Sequence, residues 1–248
     1  MLEGKKIYFA SDFHLGVPNK DSSLKREKLI VKWLEEVSID AAEIFLVGDV
    51  FDFWYEYKHA IPKGHVRIQG KIAELTDRGI KIHYFIGNHD MWAFNYFEEE
   101  LGVKMYRESA EFEWSGKKFL IGHGDGLGPG DYGYKFIKKV FANPLLQWAF
   151  GWIHPNIGIG IANFWSQTSR KANHGTDEVF LGEENEWLAT YCRDVLKTKY
   201  FDYFIFGHRH LPLDIKVGDT SRYINLGEWV NYTTYAVFDG ENLELKEY

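Results

Sequence analysis

The sequence predicts an α/β sandwich of two mixed sheets with one inserted helical hairpin. Three observations carry this reading. Short apolar strands alternate with amphipathic helices up to residue 90, short strands joined by glycine-containing turns close the chain, and the run from Val140 to Ser169 between them has no Asp, Glu, Lys or Arg. Strand–helix–strand order builds a layered α/β start in which loops at strand C-termini face the same way.

Taken in order, Ile7–Ala10 is the first strand, leaving into Asp12-Phe13-His14-Leu15-Gly16. Ser22 or Ser23 can cap a helix whose apolar residues Leu29, Ile30, Trp33, Leu34 and Val37 fall at helical spacing. Ile44–Val47 is a second, fully apolar strand that ends on Gly48 and delivers Asp49 at its tip. A helix over His65–Arg78 follows, with Gly79 as its stop, and then a strand over Ile80–Ile86. A short helix over Trp92–Glu100 leads to a hairpin, Glu111–Trp114 and Lys118–Ile121, turning at Ser115-Gly116. Gly126–Asp131 is too glycine-rich for helix or strand. After the charge-free run, broken near its middle by His154-Pro155-Asn156, an amphipathic helix spans Glu183–Lys197. Tyr203–Phe206 and four C-terminal strands, Leu211–Val217, Arg222–Ile224, Thr234–Phe238 and Leu243–Lys246, complete the chain.

Residues 1–248 are expected to form one domain, since 248 residues with 45% hydrophobic content can bury a sizeable core. Cys192 is the sole cysteine, so no internal disulfide can form and a reducing, cytoplasmic setting is expected. Met1–Lys6 leads straight into the first strand, which leaves no room for a signal peptide. A net charge of −7 argues against nucleic acid as a partner. Nothing in the sequence calls for an obligate protein partner.

Five segments share one design, an apolar strand followed by hard oxygen or imidazole donors. They are Asp12-Phe13-His14, Gly48-Asp49-Val50-Phe51-Asp52, Gly87-Asn88-His89-Asp90, Gly122-His123-Gly124-Asp125 and Gly207-His208-Arg209-His210. A single Asp or His after a strand is usually structural, so the inference rests on the set. A carboxylate at a buried strand end costs several kcal/mol to desolvate unless positive charge meets it. The five sets converging on one sheet edge equip it for two divalent metals about 3.5–4 Å apart, with Asp49 placed to bridge them. Imidazole and carboxylate donors suit Mn, Fe or Zn, while the lack of thiolates argues against a structural zinc site.

These five motifs, from Asp12 to His210, resemble the calcineurin-like metallophosphoesterase superfamily. The resemblance implies one metal held by Asp12, His14, Asp49 and His210, and a second held by Asp49, Asn88, His123 and His208. It implies a water bridging the two as nucleophile, and His89, oriented by Asp52, as proton donor or charge stabiliser beside the phosphoryl group. Two further stretches, Leu46–Trp54 and His123–Lys135, together with Ser169–Asn173, resemble the UDP-2,3-diacylglucosamine diphosphatase branch, which acts in lipid A synthesis. That likeness implies hydrolysis of a UDP-linked diacyl sugar to UMP and the acylated sugar 1-phosphate. It also implies a substrate pocket that includes Tyr134, Ser169 and Asn173, and manganese as the metal, with iron or zinc as alternatives.

The charge-free run supports a lipid substrate independently. Neither half of it, at about 1.5 Å per residue, can span a bilayer core of roughly 30 Å. A surface helix pair without charges is nonetheless anomalous in a water-facing enzyme. With Lys135, Lys138, Lys139, Arg170 and Lys171 at its ends, it suits a lid over acyl chains, about residues 131–175. Peripheral attachment to the cytoplasmic face of the inner membrane is the corresponding expectation. Burial of the pair by the domain or by a second subunit is the structural alternative. Two other functions stay open on the sequence: hydrolysis of a soluble nucleotide or dinucleotide polyphosphate, and a scaffold that no longer catalyses.

Overall fold

The computed structural model describes residues 4–130, 132–162, 164, 179–180 and 182–248. Two sheets face each other. The larger runs β11(Leu243–Glu247)-β10(Thr234–Phe238)-β1(Lys6–Ala10)-β2(Ala41–Val47)-β3(Lys81–Phe85)-β4(Lys104–Tyr106). The smaller runs β5(Ala110–Trp114)-β6(Lys117–Ile121)-β7(Tyr203–Phe206)-β9(Arg222–Leu226)-β8(Pro212–Lys216). β1, β2, β3 and β4 are parallel in the first sheet, and β6, β7 and β9 are parallel in the second. Both sheets are therefore mixed, and the expected sandwich is present.

The inner faces meet in an aromatic and aliphatic layer that includes Phe9, Phe45, Phe85, Phe119 and Phe238. Strands buried on both faces read as continuous apolar runs, which is why β2 and β7 are so plain in the sequence. The outer face of the first sheet is covered by α1(Lys20–Val37), α2(Val66–Asp77) and α3(Tyr96–Leu101), through Trp33, Ile72 and Phe97 among others. The outer face of the second is covered by α6(Trp187–Leu196), through Leu188 and Cys192. α4(Tyr132–Phe141) and α5(Pro144–Phe150) stand beside the sandwich, followed by helical residues 155–162.

Several local expectations need correction. α1 is capped by Asn19, whose side chain accepts from the N–H groups of Asp21 and Ser22. Ser23, expected as a cap, instead accepts from the Gly16 N–H at 2.8 Å and ties the loop after β1 to the helix. α3 starts at Tyr96 and not Trp92, because Tyr55 pairs with Trp92 as an isolated bridge. β4 was missed: its three residues leave too short a pattern to read. The charge-free run is not a helix pair with one break at His154. It is interrupted first at Asn143, whose side chain caps α5 with Pro144 at the first helical position, and again before residue 155.

Candidate metal centre

Every expected donor sits at the C-terminal end of a strand, and the backbone there is strained. Asp12, His14, Asp49, His208 and His210 all have positive φ, between 44° and 69°. Only three other non-glycine residues among those described do so, namely His65, Ser115 and Thr233. A left-handed conformation at a non-glycine residue costs of order 1–3 kcal/mol and clusters at functional sites. The glycines preceding the donors serve close approach. A Cβ on Gly48 would enter the His123 ring, and one on Gly87 would enter the Asp49 carboxylate. Backbone bonds then knit the loops together, Asp12 N–H to Gly48 O at 3.0 Å and His14 N–H to Asp49 O at 2.9 Å.

The two central carboxylates each divide their oxygens in the same way. Asp49 Oδ1 accepts the His89 N–H at 2.8 Å, and Asp12 Oδ2 accepts the His208 N–H at 3.1 Å. The other oxygens, Asp49 Oδ2 and Asp12 Oδ1, are buried and accept no hydrogen bond from any described residue. What faces them is imidazole. Asp12 Oδ1 lies 3.6 Å from His14 Nε2 and 3.4 Å from His210 Nε2, which are themselves 3.0 Å apart. Asp49 Oδ2 lies 3.9 Å from His14 Nε2 and 3.3 Å from His123 Nε2. On the far side, Asn88 Oδ1 is 3.1 Å from His123 Nε2 and 2.9 Å from His208 Nδ1.

Two donor sets thus surround two points, with Asp49 Oδ2 common to both. The atoms of Asp12, His14, Asp49 and His210 lie within 4.8 Å of one another. Orphaned anionic oxygens ringed by imidazole nitrogens fit a pair of dications, because each buried anion otherwise lacks compensation. Protonation equilibria agree. Burial pushes the Asp49 carboxyl up, but the charges of His123, His89 and His14 outweigh it and hold it well below the usual range. Asp12 is likewise held low against its own burial, by His14, His210 and His123. Burial, helped by the charge of His123, pulls His208 down to about 4, so its imidazole is neutral and able to donate a lone pair. His123 is driven down by burial yet ends well above its ordinary value because Asp49, Asp12 and Asp125 surround it. The carboxylates that raise it mark a place that calls for positive charge.

His89 and Asp52 come together as expected, with one difference. His89 Nδ1 donates to the backbone carbonyl of Asp52 at 2.9 Å, while the Asp52 carboxylate lies 3.6 Å from that nitrogen and 3.7 Å from His14 Nδ1. With Nδ1 committed, Nε2 is the nitrogen that can serve a substrate oxygen.

Three residues that position this centre were not singled out from the sequence. Asp90 Oδ1 accepts the Gly87 N–H at 2.7 Å, and its Oδ2 accepts the Val50 N–H at 3.0 Å and the Tyr84 hydroxyl at 2.6 Å. It therefore clamps the loops carrying Asn88 and Asp49 to each other. Arg26, buried on α1, donates to the carbonyls of Phe13, His14 and Val17 at 2.5–2.7 Å and fixes the first donor loop. Arg209, between His208 and His210, is buried against Glu186 at 3.0 Å and lies 4.2 Å over the Trp187 ring. Their common signal is a charged residue embedded in an apolar helix face or a donor motif.

Tyr134 joins the centre through Asp125, donating to its Oδ2 at 2.7 Å, with its ring 6.0 Å from His208. Ser169 and Asn173 lie outside the described residues. An apolar cavity of about 430 Å³ opens from Asn88 and His89, walled by Phe53, Trp92, Phe141, Phe150 and Ile153. α4 and α5 are moored over it by Trp92 Nε1 to Phe141 O at 2.8 Å and Tyr55 hydroxyl to Gln147 O at 2.6 Å. Trp148 and Trp152, in the same charge-free run, point outward, 63% and 76% exposed. The inner wall is Phe141 and Phe150, packed against Trp92 edge-on at 5.5 Å and tilted at 4.6 Å. Trp165 lies outside the described residues.

A two-sheet sandwich with hard donors collected at its strand ends is the architecture of a metal-dependent phosphoesterase. The chain belongs to the calcineurin-like phosphoesterase family, whose model matches residues 5–212. Two curated relatives carry the name UDP-2,3-diacylglucosamine hydrolase. That of Porphyromonas gingivalis is 36% identical, covering 97% of each chain. That of Yersinia pseudotuberculosis is 25% identical, covering 96% of each. Among solved structures, the phosphoesterase Yfce from E. coli aligns with a TM-score of 0.44 at 15% identity, covering 96% of this chain and 90% of that one.

Proposed function

We propose that this protein hydrolyses the pyrophosphate of UDP-2,3-diacylglucosamine, giving UMP and 2,3-diacylglucosamine 1-phosphate. The observation that carries the reading is the apolar cavity opening directly from Asn88 and His89. A soluble nucleotide offers nothing to fill such a wall, whereas acyl chains do. The relatives' name points to the same substrate.

In this reading Asp12, His14, Asp49 and His210 hold one divalent ion, and Asp49, Asn88, His123 and His208 hold the other. Manganese is the proposed ion, in keeping with an oxygen and imidazole donor set without thiolate. The ions, when bound, supply Lewis acidity to the phosphoryl oxygens and a nucleophilic water near neutral pH. A bond forms between the water oxygen and the α-phosphorus, and the bond from that phosphorus to the bridging oxygen breaks. His89, held through Nδ1 by the Asp52 carbonyl, presents Nε2 to give a proton to the departing oxygen or to stabilise its charge. Tyr134 and Lys138 hold the Asp125 loop beside His208, with Lys138 Nζ 2.6 Å from the Asp125 carboxylate. Ser169 and Asn173 are proposed to complete the pocket.

Residues 131–175 act in this account as a lid on a single domain. The outer surface of residues 132–152 is apolar, with Tyr132, Phe136, Leu145, Trp148 and Trp152 all more than 60% exposed and Lys135 and Lys139 nearby. No helix among the described residues is long and apolar enough to cross a membrane. Peripheral attachment to the cytoplasmic face of the inner membrane is part of this proposal, supported by the exposed aromatic groups for the interface and the lysines for anionic head groups.

Acyl dependence tests the assignment. Burial of each CH₂ contributes about 0.8 kcal/mol, so a few methylenes held in the cavity change kcat/KM by orders of magnitude. The diacylated UDP-sugar is expected to be turned over at least about 10²-fold more efficiently than bare UDP-glucosamine. Phe150→Asp should erase most of that ratio, and Trp148→Asp should not. Equal efficiency on both substrates in the wild type would leave a soluble nucleotide pyrophosphatase as the better reading.

A further inference from the structure

A second cavity, of about 540 Å³, reaches the metal centre through His123. Its lining includes His123, Gly124 and Asp125 together with Arg107, Ser109 and Tyr191. Its volume lies within the roughly 300–1,000 Å³ of small-molecule sites. Its chemistry is more mixed than that of the first: Arg107, Glu108, Glu111 and Lys199 border it beside Phe85, Leu120 and Phe201, where the other is walled mainly by aromatic and aliphatic groups. Among the described residues the two cavities share one side chain, Lys138. Its ammonium is fixed at the junction by the Asp125 carboxylate at 2.6 Å and the Asp125 carbonyl at 3.0 Å.

We propose that this second cavity is the nucleoside subsite, so that the substrate's pyrophosphate crosses the metal centre beside Lys138 with its two ends in two chemically different pockets. The inference rests on the substrate reading given above. Three arguments fix the direction. An acyl chain laid along Arg107, Glu111 and Lys199 would strip water from charged groups and return nothing to them. A uracil and ribose laid against Phe141, Phe150 and Ile153 would leave their carbonyls, N–H and hydroxyls without partners. The second cavity offers those groups the Ser109 hydroxyl and the Arg107 side chain, whose Nη2 is anchored by the Ala93 and Phe94 carbonyls at 2.9 and 2.7 Å, and a Tyr191 ring for the base. The third argument is the position of His89, which lines the first cavity and not the second. A group that departs with a proton from His89 leaves on that side, so the retained nucleoside monophosphate belongs on the His123 side.

Calorimetric titration of the metal-loaded protein with UMP and, separately, with inorganic phosphate tests this without turnover. Phosphate alone reports the metal centre, and the excess affinity of UMP reports the nucleoside. Ser109→Trp fills part of the cavity and Tyr191→Ala removes a ring that lines it. Each is expected to raise the Kd for UMP about tenfold or more while the Kd for phosphate stays within about twofold. Melting curves confirm that both variants fold, and the two opposite changes guard against a local defect at either. If both variants keep wild-type UMP affinity, the nucleoside lies elsewhere and the subsite is overturned while the substrate reading stands. If the wild type binds UMP no more tightly than phosphate, the uridine reading of the substrate falls along with the subsite.

Discussion

Asp49→Asn is expected to lose both metals and essentially all activity together. Asp49 Oδ2 is the one buried oxygen that faces both donor sets, 3.3 Å from His123 on one side and 3.9 Å from His14 on the other. An amide keeps the shape and could place its own oxygen there, but it removes the negative charge that two adjacent dications share. It also leaves one of the two positions to an N–H₂, since the other already accepts the His89 N–H at 2.8 Å. The expected result is a fall from two ions per chain to fewer than one by elemental analysis. The loss in kcat should be on the order of 10³-fold or more, because Lewis acidity and nucleophile are lost at once. A fully loaded, active Asp49→Asn protein would remove the bridging role.

The second large effect falls on His89, and here metal content should not move. Its ring is not among the atoms surrounding either ion position, and it is held by the Asp52 carbonyl at 2.9 Å. His89→Ala should therefore lower kcat by about 10²–10⁴-fold with both ions retained, as expected for loss of general acid catalysis. His89→Arg should retain more activity than alanine if charge is what the leaving oxygen needs. Asp52→Asn keeps the backbone carbonyl that holds His89, so its effect should be smaller than that of His89→Ala, with metal retained. A His89→Ala enzyme of near-normal kcat would return that residue to a loop-filling role.

The parts of this molecule that were legible in the sequence are those where burial dictates residue type directly. β7 and the Ile44–Val47 part of β2 are buried on both faces and so are written as unbroken apolar runs followed by glycine and a donor. The donors read as a set because each follows such a run. What the sequence withheld depends on which way a group turns. Trp148 and Trp152 look like Phe141 and Phe150 in a charge-free stretch, yet the first pair faces outward and the second lines the cavity. The break at Asn143 was hidden because an Asn-Pro step reads equally as a turn or a cap, and only the helix that follows decides. Arg26, Asp90 and Arg209 stood out only as charges set in an apolar helix face or a donor motif, without their roles, for a different reason. Their partners are mostly backbone groups or residues distant in sequence, which no local pattern records. The second cavity was invisible for the same reason, since its walls come from β4–β5, β6 and α6.

Product analysis in ¹⁸O-labelled water bears most directly on the central claim. Metal-loaded protein is mixed with UDP-2,3-diacylglucosamine, and the phosphorus-containing products are resolved by ³¹P NMR and mass spectrometry. The account predicts UMP and the diacylated sugar 1-phosphate in equal amounts, with a single ¹⁸O in the UMP, since water attacks the α-phosphorus. No cleavage, or label appearing in the sugar phosphate, would contradict it.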